Sequence, residues 1–227
     1  MNFLSHFYFD KSNSDPLAVI GMVLPDLLKN ANKEWSPRPE KHELDFKESG
    51  LQNIYSGWKR HLAVDKHFHS SDFFHTHTKQ IGRLVAPFLG TSPAKPFFVA
   101  HIALELMLDS LLLKSDTIDS SVFYTHLENA NKETIRKFLI VNNISDSNVF
   151  FNFLDDFIRS RYLNSYSQPG EVVYALNRIC MRVWDNPFDE TQKLYLKGVL
   201  LEYQDTLQES YMNIFDEIDR KLISEKI

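Results

Sequence analysis

Apolar residues recur along most of this chain at the three- and four-residue intervals of amphipathic helices, and long segments carry no turn signal. Residues 97–114 (FFVAHIALELMLDSLLLK) are apolar nearly all round, which is typical of a helix buried at the centre of a bundle. The chain has only 7 glycines, which argues against a fold of many short strands. The pattern predicts an all-α fold, a single-domain bundle of about eight helices over residues 1–227.

Proline, glycine and capping residues predict where the helices begin and end. Asp15 and Pro16 form a typical helix start, and Pro25 predicts a disturbance in the helix that follows. Connections are predicted at 30–39, at 90–96, at Pro169-Gly170 and at Asn186-Pro187. Helices are predicted at 16–29, at 40–88 with breaks near Gly50 and 70–71, and at 97–114, 120–141, 146–163, 171–184 and 189–223.

The composition excludes several classes of function. The net charge of −5 leaves no broad basic surface, so nucleic acid is not expected as a partner. The single cysteine, Cys180, excludes an internal disulfide and a multi-cysteine zinc site, and its apolar neighbours favour a structural thiol. The N-terminal residues do not resemble a signal peptide, and no apolar run reaches the roughly 18–20 residues of a membrane span. We therefore expect a cytoplasmic protein without a membrane partner.

Two stripes of potential metal ligands follow the predicted helices. His61, Asp65 and His69 recur at intervals of four residues, and His101, Glu105 and Asp109 recur at the same intervals. Residues four apart lie on one face of a helix, one turn above another, so each stripe aligns three side chains that can bind a metal ion.

The second stripe lies among apolar residues. Burying the Glu105 and Asp109 carboxylates there costs several kcal/mol unless a positive charge compensates, and the two carboxylates also repel each other. A divalent cation would remove both problems: Mn²⁺ or Mg²⁺ suits carboxylates, and imidazoles widen the choice to Fe²⁺ or Zn²⁺. The alternatives are a lysine or arginine from another helix, exposure to solvent, or hydrogen bonds within the core.

Two further candidates lie nearer the N-terminus. His6 stands in an otherwise apolar segment, NFLSHFYF, and Asp26 is a lone carboxylate in VLPDLL. Either side chain could bind a metal ion, or it could be a hydrogen-bonded residue of the core. The chain has no phosphate-binding glycine loop, no GxSxG sequence and no HExxH sequence.

Several short segments resemble the acyl carrier protein phosphodiesterase family. These are MNFLSH at the start, GMVLPDLLK at 21–29, GWKRHLAVDKHFH at 57–69, ALELMLDSLLL at 103–113 and, more weakly, YSQPGEVVYALNRICMR at 166–182. The family usually has Gly-Asn-Leu-Leu-Gly-Asp where this chain has GMVLPD. This chain also has Leu62 for an arginine, His69 for an aspartate and Ser110 for a histidine.

The resemblance implies a helical fold distantly like that of the HD-type metal-dependent phosphohydrolases. It implies hydrolysis of the phosphodiester that joins 4′-phosphopantetheine to acyl carrier protein, with Mn²⁺ or a similar ion as cofactor. The positions that match the family's polar residues are His6, Asp26, His61, Asp65 and Asp109.

Residues and resemblance together assign roles to eleven side chains. Asp26, His61, Asp65, His101 and Asp109 are predicted metal ligands, and His6, His69 and Glu105 are predicted catalytic or supporting groups. Lys59, Arg60 and Arg182 are predicted contacts for phosphate or for an acidic acyl carrier protein. Two alternatives remain open: a related metal phosphohydrolase with another small phosphate ester as substrate, and a non-catalytic helical binding protein.

Overall fold

The computed structural model describes residues 1–168 and 170–226, and in that part of the chain it contains helices and no strand. The all-α class is therefore confirmed. Four short 3₁₀ helices lie at Pro39–Lys41, Glu43–Asp45, Ala86–Phe88 and Tyr162–Ser167. The α-helices are α1 (Phe3–Tyr8), α2 (Pro16–Ala31), α3 (Ser49–His69), α4 (Asp72–Val85), α5 (Pro96–Lys114), α6 (Ser120–Asn129), α7 (Lys132–Val141), α8 (Ser147–Ser160), α9 (Glu171–Cys180), α10 (Glu190–Leu207) and α11 (Met212–Glu225).

The described residues thus form eleven α-helices where about eight were predicted, because α1 was not predicted and two of the predicted helices are each divided into two. The segment 120–141 is interrupted at Asn131, whose side chain accepts a hydrogen bond from the Thr134 amide and starts α7. The predicted final helix is likewise interrupted between α10 and α11. The break near residues 70–71 is confirmed, and Ser71 caps α4.

Two other predicted features involve prolines. The helix α2 continues through Pro25 without ending there. At the predicted Pro169-Gly170 connection, Pro169 lies outside the described residues, and Gly170 precedes α9 with a φ of 91°, a conformation that favours glycine.

Helix α5 lies at the centre of the fold and packs against α1, α4 and α9. A stretch of 18 residues in this 19-residue helix has a mean hydropathy of 1.7, enough by length and composition to cross a membrane, contrary to the prediction from the sequence. However, 61% of that segment is buried inside the fold, as in the core helix of a soluble protein.

Helices α2 and α3 cross in backbone contact at two glycines. A Cβ atom on Gly21 would lie 2.2 Å from the Ile54 carbonyl oxygen, and one on Gly57 would lie 2.1 Å from the Ala18 carbonyl oxygen. Only glycine permits this approach. The crossing brings His61 of α3 against the backbone of α2, where its Nδ1 donates a hydrogen bond to the Met22 carbonyl at 2.8 Å.

Candidate metal centre

A first group of potential ligands combines one histidine of α1 with a histidine and an aspartate of α3. His6 Nε2 lies 3.3 Å from Asp65 Oδ1, and His61 Nε2 lies 3.6 Å from Asp65 Oδ2. The His6 and His61 rings stack with their centroids 3.9 Å apart. We call His6, His61 and Asp65 the deep triad, because the two imidazoles are 0% and 3% exposed.

The deep triad presents free nitrogen lone pairs to a carboxylate. Because the Met22 carbonyl can only accept, His61 carries its proton on Nδ1, and its Nε2 lone pair is directed toward Asp65. Both ring nitrogens of His6 are buried without a well-formed hydrogen bond to any described residue. Burial lowers the pKa of both His6 and His61 to about 4, so both are neutral near pH 7. Neutral imidazoles beside a carboxylate are suited to bind a cation.

The positive charge that faces these carboxylates in the structure is the amino group of Met1. Its nitrogen lies 2.6 Å from Asp65 Oδ1 and 3.2 Å from Glu105 Oε1. Burial by itself would lower the pKa of this amino group, but Glu105 and Asp65 outweigh burial and raise it to about 11. The two carboxylates therefore converge on a point where a positive charge is strongly stabilised.

A second group of ligands lies beside the first, between α3 and α5. His69 Nε2 lies 3.1 Å from His101 Nε2 and 3.4 Å from Glu105 Oε1, and His101 Nε2 lies 2.9 Å from the same oxygen. We call His69, His101 and Glu105 the shallow triad, because its two histidine side chains are 34% and 37% exposed. Within the described residues, the deep and shallow triads are the groups of three or more convergent ligands.

The shallow triad is joined directly to the deep one. His69 Nδ1 donates to the backbone carbonyl of Asp65 at 2.8 Å, which leaves the His69 Nε2 lone pair directed at His101 and Glu105. Although burial opposes ionisation of Glu105, the Met1 ammonium and the two histidines hold the pKa of its carboxyl well below the usual range. Glu105 is therefore a carboxylate that both the amino group and the imidazoles approach.

Asp109 was predicted as a metal ligand, but it lies outside both triads, at the start of α1. Its carboxylate is fully buried and accepts hydrogen bonds from the Leu4 amide at 3.1 Å, the Ser5 amide at 2.7 Å and the Ser5 hydroxyl at 2.6 Å. Leu4 and Ser5 occupy the first turn of α1, whose own N-cap residue, Asn2, makes no capping bond. Asp109 caps α1 from another helix and so positions His6. It belongs to neither triad.

Asp26, also predicted as a metal ligand, belongs to neither triad but lies beside both. Its carboxylate accepts no hydrogen bond from a described residue, and burial raises its pKa to about 6 even though nearby positive groups act in the opposite direction. Asp26 lines a cavity of about 490 Å³ together with Met1 and Glu105. The cavity thus reaches the point where the carboxylates converge.

The mouth of this cavity carries two arginines of the α9 region. Arg182, a predicted phosphate contact, is held there by the Asn30 side chain. Arg178, which was not among the predicted site residues, lines the same cavity, and its side chain makes no ion pair or hydrogen bond with another described residue. It precedes Arg182 by four residues within the predicted helix 171–184, and this spacing was the available signal.

Two tyrosines that were not among the predicted site residues also line the cavity. Tyr162 and Tyr166 come from the 3₁₀ helix Tyr162–Ser167, which the Ser110 hydroxyl fixes to α5 by a 2.6 Å hydrogen bond to the Tyr166 carbonyl. Ser110 stands where the resembled family has a histidine. In this chain the position supports the cavity wall.

The two other predicted phosphate contacts do not line this cavity. Lys59 is exposed on α3, 3.9 Å from Glu43. Arg60 donates to the Phe9 carbonyl at 2.9 Å and lies 3.6 Å from Asp10, so it fastens the segment after α1. The structure thus separates Lys59 and Arg60 from the predicted site residues that it brings together.

Comparison of the chain with protein-family models, with curated proteins and with solved structures gives no match. The function of the site is therefore argued from its own residues.

Proposed function

We propose that this protein is a divalent-metal-dependent phosphodiesterase that releases 4′-phosphopantetheine from holo acyl carrier protein. One observation carries the proposal: Glu105 of the shallow triad, which lies beside the deep triad, lines a cavity that also presents Arg178, an arginine whose side chain has no partner among the described residues. The sequence resemblance supplies the particular substrate. The HD-like character of the fold and the cytoplasmic location belong to the same proposal.

The deep triad fits a metal ion, because it combines two neutral, buried imidazoles with one carboxylate, and neither ring nitrogen of His6 makes a well-formed hydrogen bond with a described residue. Mn²⁺ is the proposed ion, with Mg²⁺, Fe²⁺ or Zn²⁺ as alternatives. When bound, such an ion withdraws charge from phosphoryl oxygens and lowers the pKa of a water molecule.

Residues around the cavity would bind and orient the substrate. The Arg178 guanidinium can bind the phosphate through two parallel hydrogen bonds, with Arg182 beside it. The apolar side chains of Ile102, Leu106 and Ile179 can contact the carbon chain of a pantetheine group. The Asp26 carboxylate, which opens on the same cavity, can accept a proton from an attacking water.

A second candidate function is hydrolysis of another small phosphate ester. The cavity volume of about 490 Å³ favours it, since pockets of roughly 300–1,000 Å³ hold small molecules without a protein partner. The non-catalytic binding protein is a third outcome that the same experiment distinguishes.

Holo acyl carrier protein should be incubated with the Mn²⁺-loaded protein, and mass spectrometry should follow conversion to the apo form. Conversion supports the proposal. Hydrolysis of bis(4-nitrophenyl) phosphate without conversion of the carrier protein favours the second candidate. Loss of both activities with all four metal ions would overturn both, and binding of holo carrier protein without cleavage would then identify the third.

Replacing Arg178 with glutamine tests how the substrate is held. We expect KM to rise about 10-fold with a smaller change in kcat, because the lost phosphate contact contributes on the order of 1.4 kcal/mol to binding. Arg83→Gln is the matched control, since Arg83 is an exposed arginine of α4 outside the cavity. An unchanged KM for Arg178→Gln would remove this residue from the phosphate site.

A further inference from the structure

We propose that His69, His101 and Glu105 form a cation site of their own, which binds a divalent transition-metal ion such as Zn²⁺ or Co²⁺ next to the deep triad. The site does not depend on the hydrolytic function, because a metal ion can bind there whether or not the protein cleaves a phosphodiester. It also does not depend on occupation of the deep triad, since the two triads share no side chain.

The Nε2 lone pair of His69 is directed at the other two members of the shallow triad. The 2.8 Å hydrogen bond from His69 Nδ1 to the Asp65 carbonyl fixes the His69 proton on Nδ1. A backbone carbonyl that orients a histidine in this way is the usual support of a metal-binding imidazole. His69 Nε2 therefore presents an electron pair to His101 Nε2, 3.1 Å away, and to the Glu105 carboxylate, 3.4 Å away.

The three ligands of the shallow triad converge on one point. The ligand atoms of His69, His101 and Glu105 lie within 4.8 Å of one another, although they come from two helices. A single proton on His101 Nε2 can serve only one strong hydrogen bond, to Glu105 at 2.9 Å or to His69. A cation between the three groups would satisfy all of them together.

The ligand types of the shallow triad favour a transition-metal ion. Two imidazoles and one carboxylate form a ligand set found in catalytic zinc sites, and imidazole is also a good ligand for Co²⁺ and Fe²⁺. Mg²⁺ prefers an all-oxygen shell and is a poorer match. Because His69 and His101 are about one-third exposed, water can complete the coordination, and the ion can exchange with solvent.

The partial exposure distinguishes the two triads in an experiment. An ion in the shallow triad is open to a chelator, whereas the deep triad has imidazoles that are 0% and 3% exposed. We therefore expect chelator to remove the shallow ion first.

The test is metal stoichiometry, which needs no substrate. Full-length protein is dialysed against Zn²⁺ and washed, and its zinc content is measured by elemental analysis. We expect about two equivalents for the wild type, one for His101→Ala and one for Asp65→Asn. His75→Ala is the matched control, because His75 is an exposed histidine on α4 outside both triads, and it should retain two equivalents.

Visible absorption of the Co²⁺-loaded protein gives a second readout. The wild-type spectrum should change in two steps during titration with chelator, and His101→Ala should lack the first step. Two zinc equivalents in His101→Ala, or loss of zinc in His75→Ala to the same extent, would overturn the proposal. If zinc binds as expected but no phosphodiester is cleaved, the shallow site stands and the proposed hydrolase function falls.

Discussion

The deep and shallow triads contain the same ligand types, two histidines and one carboxylate, in very different surroundings. In the deep triad the imidazoles are inside the core, and burial lowers their pKa to about 4. In the shallow triad both histidines are partly exposed between α3 and α5. Helix α1 accounts for the lower exposure of the deep triad, because it supplies His6, whose ring stacks on His61.

The comparison also shows how sites form from helical stripes. Each triad takes a histidine–carboxylate pair spaced by four on one helix and one histidine from elsewhere. His61 and Asp65 are completed by His6, and His101 and Glu105 are completed by His69. A helical stripe thus supplies two ligands, and tertiary packing selects the third.

The largest expected effect comes from Asp65→Asn. We expect turnover to fall by at least about 100-fold, because the variant removes the carboxylate that His6, His61 and the Met1 amino group all approach. His101→Ala, in the shallow triad, should reduce turnover less. Kinetic assays of both variants at saturating Mn²⁺ measure the difference. A larger loss in His101→Ala would reverse the assignment of the principal ion to the deep triad.

A smaller effect, on stability, is expected when the Asp109 carboxylate that caps α1 and positions His6 is removed. Asp109→Ala should lower the free energy of unfolding by about 2 kcal/mol, because the Leu4 and Ser5 amides lose their buried partner. Tm should then fall by about 4–8 °C. Thermal and urea unfolding measure both quantities.

Ser5→Ala is the graded control for Asp109→Ala, since it removes only one of the three donors and should cost about 1 kcal/mol. The shallow triad should keep its zinc in Asp109→Ala. The hydrogen bonds of Asp109 go to α1, and they do not position His69 on α3 or Glu105 on α5. Loss of zinc from the shallow triad at the same time would mean that the two triads are not separable.

The same anchor is also expected to make the stability of the fold depend on pH. Burial raises the pKa of Asp109 to about 7, although the Ser5 and Leu4 donors act in the opposite direction. Since the unfolded chain releases this proton first as pH rises, the carboxyl stabilises the fold most at low pH. Between about pH 4 and pH 7 the wild type should lose stability relative to Asp109→Asn. Urea unfolding of both proteins in metal-free buffer across that range tests the sign, and a constant difference would contradict it.

The hydrophobic pattern was sufficient for the fold class and for the central position of α5, because a helix apolar on all sides has to be buried. It was not sufficient for the number of helices. The interruption before α7 depends on a hydrogen bond that the Asn131 side chain accepts from the Thr134 amide, and this bond competes with continuation of the helix by a small free energy.

The sequence by itself determined which residues could bind a cation, since His61, Asp65, His101 and Glu105 lie at helical intervals whatever surrounds them. Only the tertiary structure decided how these residues are divided between two triads. The same is true of Asp109, which resembles a ligand by spacing but caps α1. The physical reason is that a carboxylate takes its role from the nearest donor or cation, and those partners come from distant parts of the chain.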